Sequence, residues 1–199
     1  MAKLILVRHA PPATDPCVAA SQWPLSEAGR ASCAPLAEAL RPYLPAVLYA
    51  SREAKAAETA ALVARALGTR FGPWPGLHEH VRSNADWLSD AEYQAGIAAL
   101  HARPDEVAFG DESADGAHAR FAAAVKALLA ETPQAPAGNV MLFTHGTVMA
   151  LFAGRANPGV DPLDLWRRLR LPAVLVLDRA TLALETVIEE IRANEPDLG

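Results

Sequence analysis

Cysteine is scarce in this chain: the 199 residues hold two, Cys17 and Cys33. That is too few for a disulfide framework, and they do not form a C-x-x-C pair for redox or zinc chemistry. Trp23 and Ala39 stand six residues after them, so the C-x5-R loop that lowers a thiol pKa beside a phosphate is absent. A G-x4-G-K-[S/T] loop, a G-x-S-x-G elbow and a G-x-G-x-x-G turn are missing too. Long hydrophobic runs are lacking at the N-terminus, where Leu4-Ile5-Leu6-Val7 gives way at once to Arg8 and His9. Four apolar residues are shorter than a signal-peptide core and far short of a membrane span. No block of five or more Lys/Arg occurs, and 18 basic against 23 acidic residues leave a net charge of −5. This excludes a dense cationic surface for nucleic acid or an anionic membrane, so the expected ligand is small. Unpaired cysteines make a reducing, cytoplasmic setting the expectation.

The chain is 51% hydrophobic, enough for the core of one ordinary domain over 1–199. Alanine, roughly a fifth of the residues, favours helix. Leu4–Val7, Ala46–Ala50, Val140–Phe143, Ala173–Leu177 and Leu184–Ile188 read as strands, the last two as a hairpin turned at Asp178-Arg179, and Thr69–Phe71 as a short extended piece. Helices are expected over Leu25–Leu44 with Ser26 as N-cap, from Ser51 to about Leu67 closed by Gly68, from a capping box at Ser89–Glu92 to near Arg103, over Ser113–Glu131, from Thr147, and over Asp161–Leu169. Strands separated by helices predict βαβ units, hence an α/β fold with a mostly parallel sheet between two helix layers.

Ligands of such sheets bind beyond the carboxyl ends of the strands. Three strands end in chemically capable residues: Arg8-His9, Ser51 followed by Arg52 and Lys55, and Thr144-His145-Gly146. Two histidines, several cations and fresh helix N-termini at one edge describe an anion site. Histidine adds a nucleophile or acid/base group near neutral pH.

These residues resemble the histidine phosphatase superfamily, the phosphoglycerate-mutase-like enzymes. Leu6-Val7-Arg8-His9-Ala10 is similar to the family's Arg-His-Gly signature, and Pro24–Gly29 to its Leu-[Thr/Ser]-x-x-Gly segment. Ser51–Ala60 resembles its Ser-x-x-x-Arg-Ala-x-x-Thr-Ala helix start, Leu77-His78-Glu79 its acid segment, and Phe143–Gly146 its second-histidine motif. The resemblance runs over about residues 4–152 and implies the family's three-layer α/β/α sandwich, with residues 72–115 as a substrate-capping insertion. It implies a phosphatase in which His9 carries a phosphohistidine, Arg8 and His145 hold the phosphate oxygens, and Glu79 protonates the leaving group and then activates water, with no metal or cofactor. A small phosphorylated metabolite is the implied partner. Mutase activity is disfavoured, because the long insertions of the larger mutases are absent.

Three departures matter. Ala10 stands in place of Gly, Pro11-Pro12 in place of polar residues, and Lys55 in place of the second phosphate-binding Arg. Lys keeps the charge but lacks the bidentate fork, so another residue has to orient the phosphate. Arg82, in the polar run Glu79–Asn84, is the expected compensating ligand, with Arg52 a turn before Lys55 the lesser choice. Two other readings stay open: a catalytically weak member that only binds a phosphorylated ligand, and a metal-dependent hydrolase using His78 and His80, whose spacing suits two ligands on one extended face. His101 and His118 read as boundary residues, Trp74 and Trp166 as core or loop anchors, and Trp23 and Trp87 as residues that could line the site.

Overall fold

A computed structural model describes residues 1–82, 88–132 and 138–192. Ser83, Asn84 and Trp87, and the Pro/Ala part of the connector predicted at 132–138, lie outside the described residues.

Six strands form one sheet: β1 (Lys3–Arg8), β2 (Ala46–Ala50), β3 (Phe71–Pro73), β4 (Asn139–Thr144), β5 (Ala173–Asp178) and β6 (Leu184–Ile188). Their spatial order is β3-β2-β4-β1-β5-β6. The first four are parallel, while β5 runs against both β1 and β6. Among the described residues six α-helices cover it: α1 (Glu27–Leu40), α2 (Ala54–Ala66), α3 (Asp90–Ala102), α4 (Ala114–Glu131), α5 (Gly146–Ala156) and α6 (Pro162–Arg168).

The three layers follow from the alternation of side chains along the central strands. Leu4, Leu6, Val140, Leu142, Leu175 and Leu177 face α3–α6, with Phe121, Phe152 and Trp166 in the same cluster. Ile5, Val7, Met141, Phe143, Val174 and Val176 face α1 and α2, packing on Leu36, Leu40 and Val63. A strand apolar on both faces can only be a buried central one, which is what the run Leu4–Val7 predicted.

The helix ends follow local chemistry. Ser26 caps α1 by accepting from the Gly29 amide, and Ser89 and Glu92 form the predicted capping box on α3. Gly68, at φ +67°, stops α2. Two expectations shift. The helix predicted from Ser51 begins at Ala54, because the Ser51 amide is held by the Phe143 carbonyl and Glu53 stays extended as the N-cap. The extended piece expected at 69–71 lies at 71–73, where it pairs in parallel with Leu48–Ala50. Arg52 is therefore an exposed residue of the 51–53 bend and not a helical neighbour of Lys55.

One glycine governs the approach of α1 to the sheet edge. A Cβ on Gly29 would lie 2.1 Å from the Pro11 carbonyl oxygen, which also accepts from the Ser26 amide and hydroxyl. The obstacle is backbone held by two hydrogen bonds, so Gly29→Ala is expected to lower stability by about 1–3 kcal/mol, read as a fall in the urea midpoint at constant m value.

Candidate active site

The site forms where β1, β2 and β4 end side by side. Parallel pairing sets Arg8 opposite Thr144 and Ala50 opposite Phe143, so His9, Ser51 and His145 leave the sheet at one level. The His9 amide donates to the Thr144 carbonyl at 3.0 Å. Thr59 ties the next residue down: its hydroxyl accepts from the Ala10 amide and donates to the Lys55 carbonyl.

His9 is buried, and its Nδ1 lies 2.8 Å from the Ala10 carbonyl oxygen. A carbonyl only accepts, so Nδ1 carries the proton and Nε2 keeps its lone pair. Burial pushes the His9 pKa well below its ordinary value, and the neighbouring His145, Lys55 and Arg8 push the same way. The ring is neutral at neutral pH, the state a nucleophile needs.

His145, the N-cap of α5, has its ring centroid 5.2 Å from that of His9. Its Nε2 meets the Ser51 hydroxyl at 3.0 Å, while Nδ1 is buried with no partner among the described residues. Burial also depresses the His145 pKa strongly, followed by Lys55 and Arg8. In the unfolded chain both histidines titrate near 6.5, so below that pH the unfolded chain binds protons that the folded one refuses. Stability is expected to be flat above about pH 7 and to fall on acidification toward the folded pKa values, by up to about 1.4 kcal/mol per pH unit for each histidine. Urea midpoints between pH 5 and 8 test this, and His145→Gln should flatten the slope.

Arg8 is held across the start of α5. Its Nη1 donates to the Leu169 carbonyl, and its Nε is buried without a partner among the described residues. A Cβ on Gly146 would lie 2.8 Å from the guanidinium carbon, so this glycine makes the close approach possible. Lys55 is also buried, its Nζ donating to the Ala20 carbonyl at 2.8 Å and pairing with Glu53 at 2.5 Å.

Glu79 reaches the same helix start from the other side. One carboxylate oxygen accepts from the Thr147 amide at 3.1 Å, and the other from the His80 and Val148 amides. A carboxylate on first-turn amides is a favourable arrangement. Its backbone is gripped by Arg120 of α4, which donates to the Gly76, His78 and Glu79 carbonyls and pairs with Glu112. Glu112 in turn accepts from the Val81 amide.

Arg82 lies over the rings of Tyr93 and Phe109, 4.7 and 5.6 Å from their centroids. The groups that act electrostatically on His9 are His145, then Lys55 and Arg8, whereas Arg82 acts on Tyr93. Burial raises the Tyr93 pKa, and the Glu79 carboxylate adds to the rise. Arg8, His9, Lys55, Glu79 and His145 thus meet at one edge, with Arg82 on its aromatic flank.

The two histidines suited to metal differ in their surroundings. His80 has Nε2 2.8 Å from the Glu112 carbonyl oxygen and stacks on Phe109, while His78 is half-buried. Among the described residues no cluster of three or more His, Cys, Asp or Glu could hold a metal ion. His101 and His118 are half-buried helix residues, Trp166 is core, and Trp74 caps Tyr49. The Trp23 indole donates within its own loop, to the Asp15 and Val18 carbonyls.

Sequence reasoning missed Glu53, Tyr93, Arg120 and Glu112. Glu53 had a signal, as a carboxylate two residues before Lys55. Arg120 had none, because the carbonyls it grips lie about forty residues away in the chain.

Comparisons with known proteins agree with this fold. The native structure of a mycobacterial glucosyl-3-phosphoglycerate phosphatase is similar with a TM-score of 0.73 at 19% identity, over 98% of this chain and 99% of that one. Its complex with inorganic phosphate gives 0.75 at 21%, over 96% and 98%. A candidate alpha-ribazole-5′-P phosphatase from Escherichia coli K-12 gives 0.68 at 17%, over 98% and 99%. No curated protein matches by sequence. No helix among the described residues is long and apolar enough to cross a membrane. The family model of the histidine phosphatase superfamily, branch 1, matches residues 4–181, and the chain belongs to that superfamily.

Proposed function

We propose that the protein is a metal-independent phosphatase that hydrolyses a small phosphomonoester through a phosphohistidine on His9. The observation that carries this reading is the contact of His9 Nδ1 with the Ala10 carbonyl at 2.8 Å. The Nδ1 proton is committed to the Ala10 carbonyl, which leaves Nε2 with a free lone pair near the Lys55 and Arg8 cations. His101 makes the same Nδ1–carbonyl contact, and what sets His9 apart is its place beside His145, Lys55 and Arg8.

In the first step Nε2 attacks phosphorus, the ester P–O bond breaks, and the leaving alkoxide takes a proton from Glu79. In the second, Glu79 takes a proton from water, the oxygen attacks phosphorus, the P–N bond breaks, and inorganic phosphate leaves with His9 restored. Arg8, Lys55 and the free Nδ1 of His145 would meet the phosphate oxygens, where charge gathers in the transition state. Arg82, fixed on two aromatic rings, would serve an oxygen or the leaving group from the flank. Residues 72–115, among them Arg82, Tyr93 and Phe109, would cap the substrate. Free cysteines, one exposed and one buried, agree with a cytoplasmic setting.

The test is release of inorganic phosphate from a panel of phosphorylated metabolites, with p-nitrophenyl phosphate as the generic substrate and EDTA as a parallel arm. Turnover that survives EDTA is expected. Binding of phosphorylated compounds without turnover of any would replace this reading with that of a binding protein, and abolition by EDTA would revive the metal reading.

A further inference from the structure

Glu53 touches Lys55, His145 and the segment that carries Glu79. Its Oε2 pairs with Lys55 Nζ at 2.5 Å, and its Oε1 accepts from the Glu79 amide at 2.8 Å and lies 3.5 Å from His145 Nε2. It is nearly buried, with its side chain 12% exposed. We infer that Glu53 is a positioning residue that aims the Lys55 ammonium at the phosphate and ties it to the segment carrying Glu79.

The need arises from the chemistry of lysine. A guanidinium carries its donors in a rigid plane and orients itself on a phosphate, whereas an ammonium is a point charge on a flexible stem. Lys55 has three N–H donors. The Ala20 carbonyl takes one and Glu53 takes another, so the direction of the third is fixed before a ligand arrives.

Glu53 can act as such an anchor because it is itself held. It is the N-cap of α2, its carbonyl accepts from the Ala56 and Ala57 amides, and its own amide donates to Ser51. The pair spans only two residues of chain, which leaves it little slack. The shared carboxylate also makes the placement of the phosphate-binding cation and of the proposed proton donor one arrangement.

The inference rests on the phosphatase reading, and the test separates the two. Glu53→Gln keeps an acceptor for the Glu79 amide but loses the ion pair with Lys55. It is expected to raise KM for p-nitrophenyl phosphate and the Kd of inorganic phosphate by about tenfold, the factor for a rotamer-rich side chain that the ligand must immobilise itself. The fall in kcat should be smaller, about threefold. Glu53→Gln combined with Lys55→Arg should recover most of the affinity, because the fork needs no anchor. Glu53→Asp, which keeps the charge one methylene short, should show the KM rise in milder form and serves if the Gln variant does not fold. An unchanged or lowered KM and phosphate Kd in Glu53→Gln, with a carboxylate that only competes with phosphate, overturns the inference, as does a double variant no better than the single one. Calorimetric titration with inorganic phosphate reads these affinities even in a chain that turns nothing over, so failure of the phosphatase reading would be seen separately.

Discussion

His9→Ala is expected to lower kcat for p-nitrophenyl phosphate by on the order of 10⁴-fold or more, the scale of losing a covalent nucleophile. The reason is geometric before it is chemical. The His9 ring is fixed by the Ala10 carbonyl on one nitrogen and packed near His145, so its other nitrogen is the nucleophile the site offers with a lone pair already free. His145 is a poorer candidate, because its Nε2 is engaged with Ser51 and its Nδ1 has no group to fix its proton. Rapid-quench labelling with a ³²P-phosphomonoester should trap a phosphoenzyme that is labile in acid and stable in alkali, and His9→Ala should lose it. Full turnover in that variant would remove His9 from the mechanism, and an alkali-labile phosphoenzyme would point to an acyl phosphate instead. Because burial holds the His9 pKa well below its ordinary value, protonation of the nucleophile should limit kcat/KM only well below pH 6.5, and a pH profile measures this directly.

Much of the fold was legible because its determinants are local. The two-faced apolar run Leu4–Val7 predicts a central strand, and the caps at Ser26, Ser89 and Gly68 depend on residues within one helical turn. The start of α2 was not, because Ser51 is restrained by the Phe143 carbonyl on a strand ninety residues later, and tertiary contact overrode local propensity. The site divides in the same way. Arg8, His9, Lys55 and His145 follow strand ends, so the rule for ligands beyond carboxyl ends brings them together without further information. The electrical character of the pocket was not legible. The sequence suggests local positive charge from Arg8, Lys55, Arg82 and two histidines, but burial leaves both rings neutral, Glu53 pairs with Lys55, and Arg82 rests on aromatic rings. Pairings of that kind depend on which side chains the fold brings within a few ångströms, and no spacing rule encodes them. Arg120, which grips the backbone around Glu79 from α4, is the extreme case.

The largest effect after that of His9 is expected at Arg8. Arg8→Lys should lower kcat/KM by about 10³-fold, the low end of what a guanidinium contributes to phosphoryl transfer. Its Nη1 is already spent on the Leu169 carbonyl, while the buried Nε has no partner among the described residues, so the remaining donors of the fork are what the phosphate can use. A lysine could keep the charge or the Leu169 contact, but it has no second arm to offer at the same angle. Gly146→Ala separates placement from charge. It leaves the guanidinium in the chain but sets a methyl group 2.8 Å from its carbon, which requires Arg8 to move. A displacement of about 1 Å at a reacting centre is worth up to 10²-fold, and kcat/KM is expected to fall on that scale. Alanine is the better helix former at the first residue of α5, so the helix itself should not be weakened, and a lost rate with intact secondary structure in circular dichroism would be assigned to Arg8. Wild-type kcat/KM in Gly146→Ala would mean that the position of this arginine is not what the site depends on, and the close approach of strand and helix at Gly146 would then be a matter of packing alone.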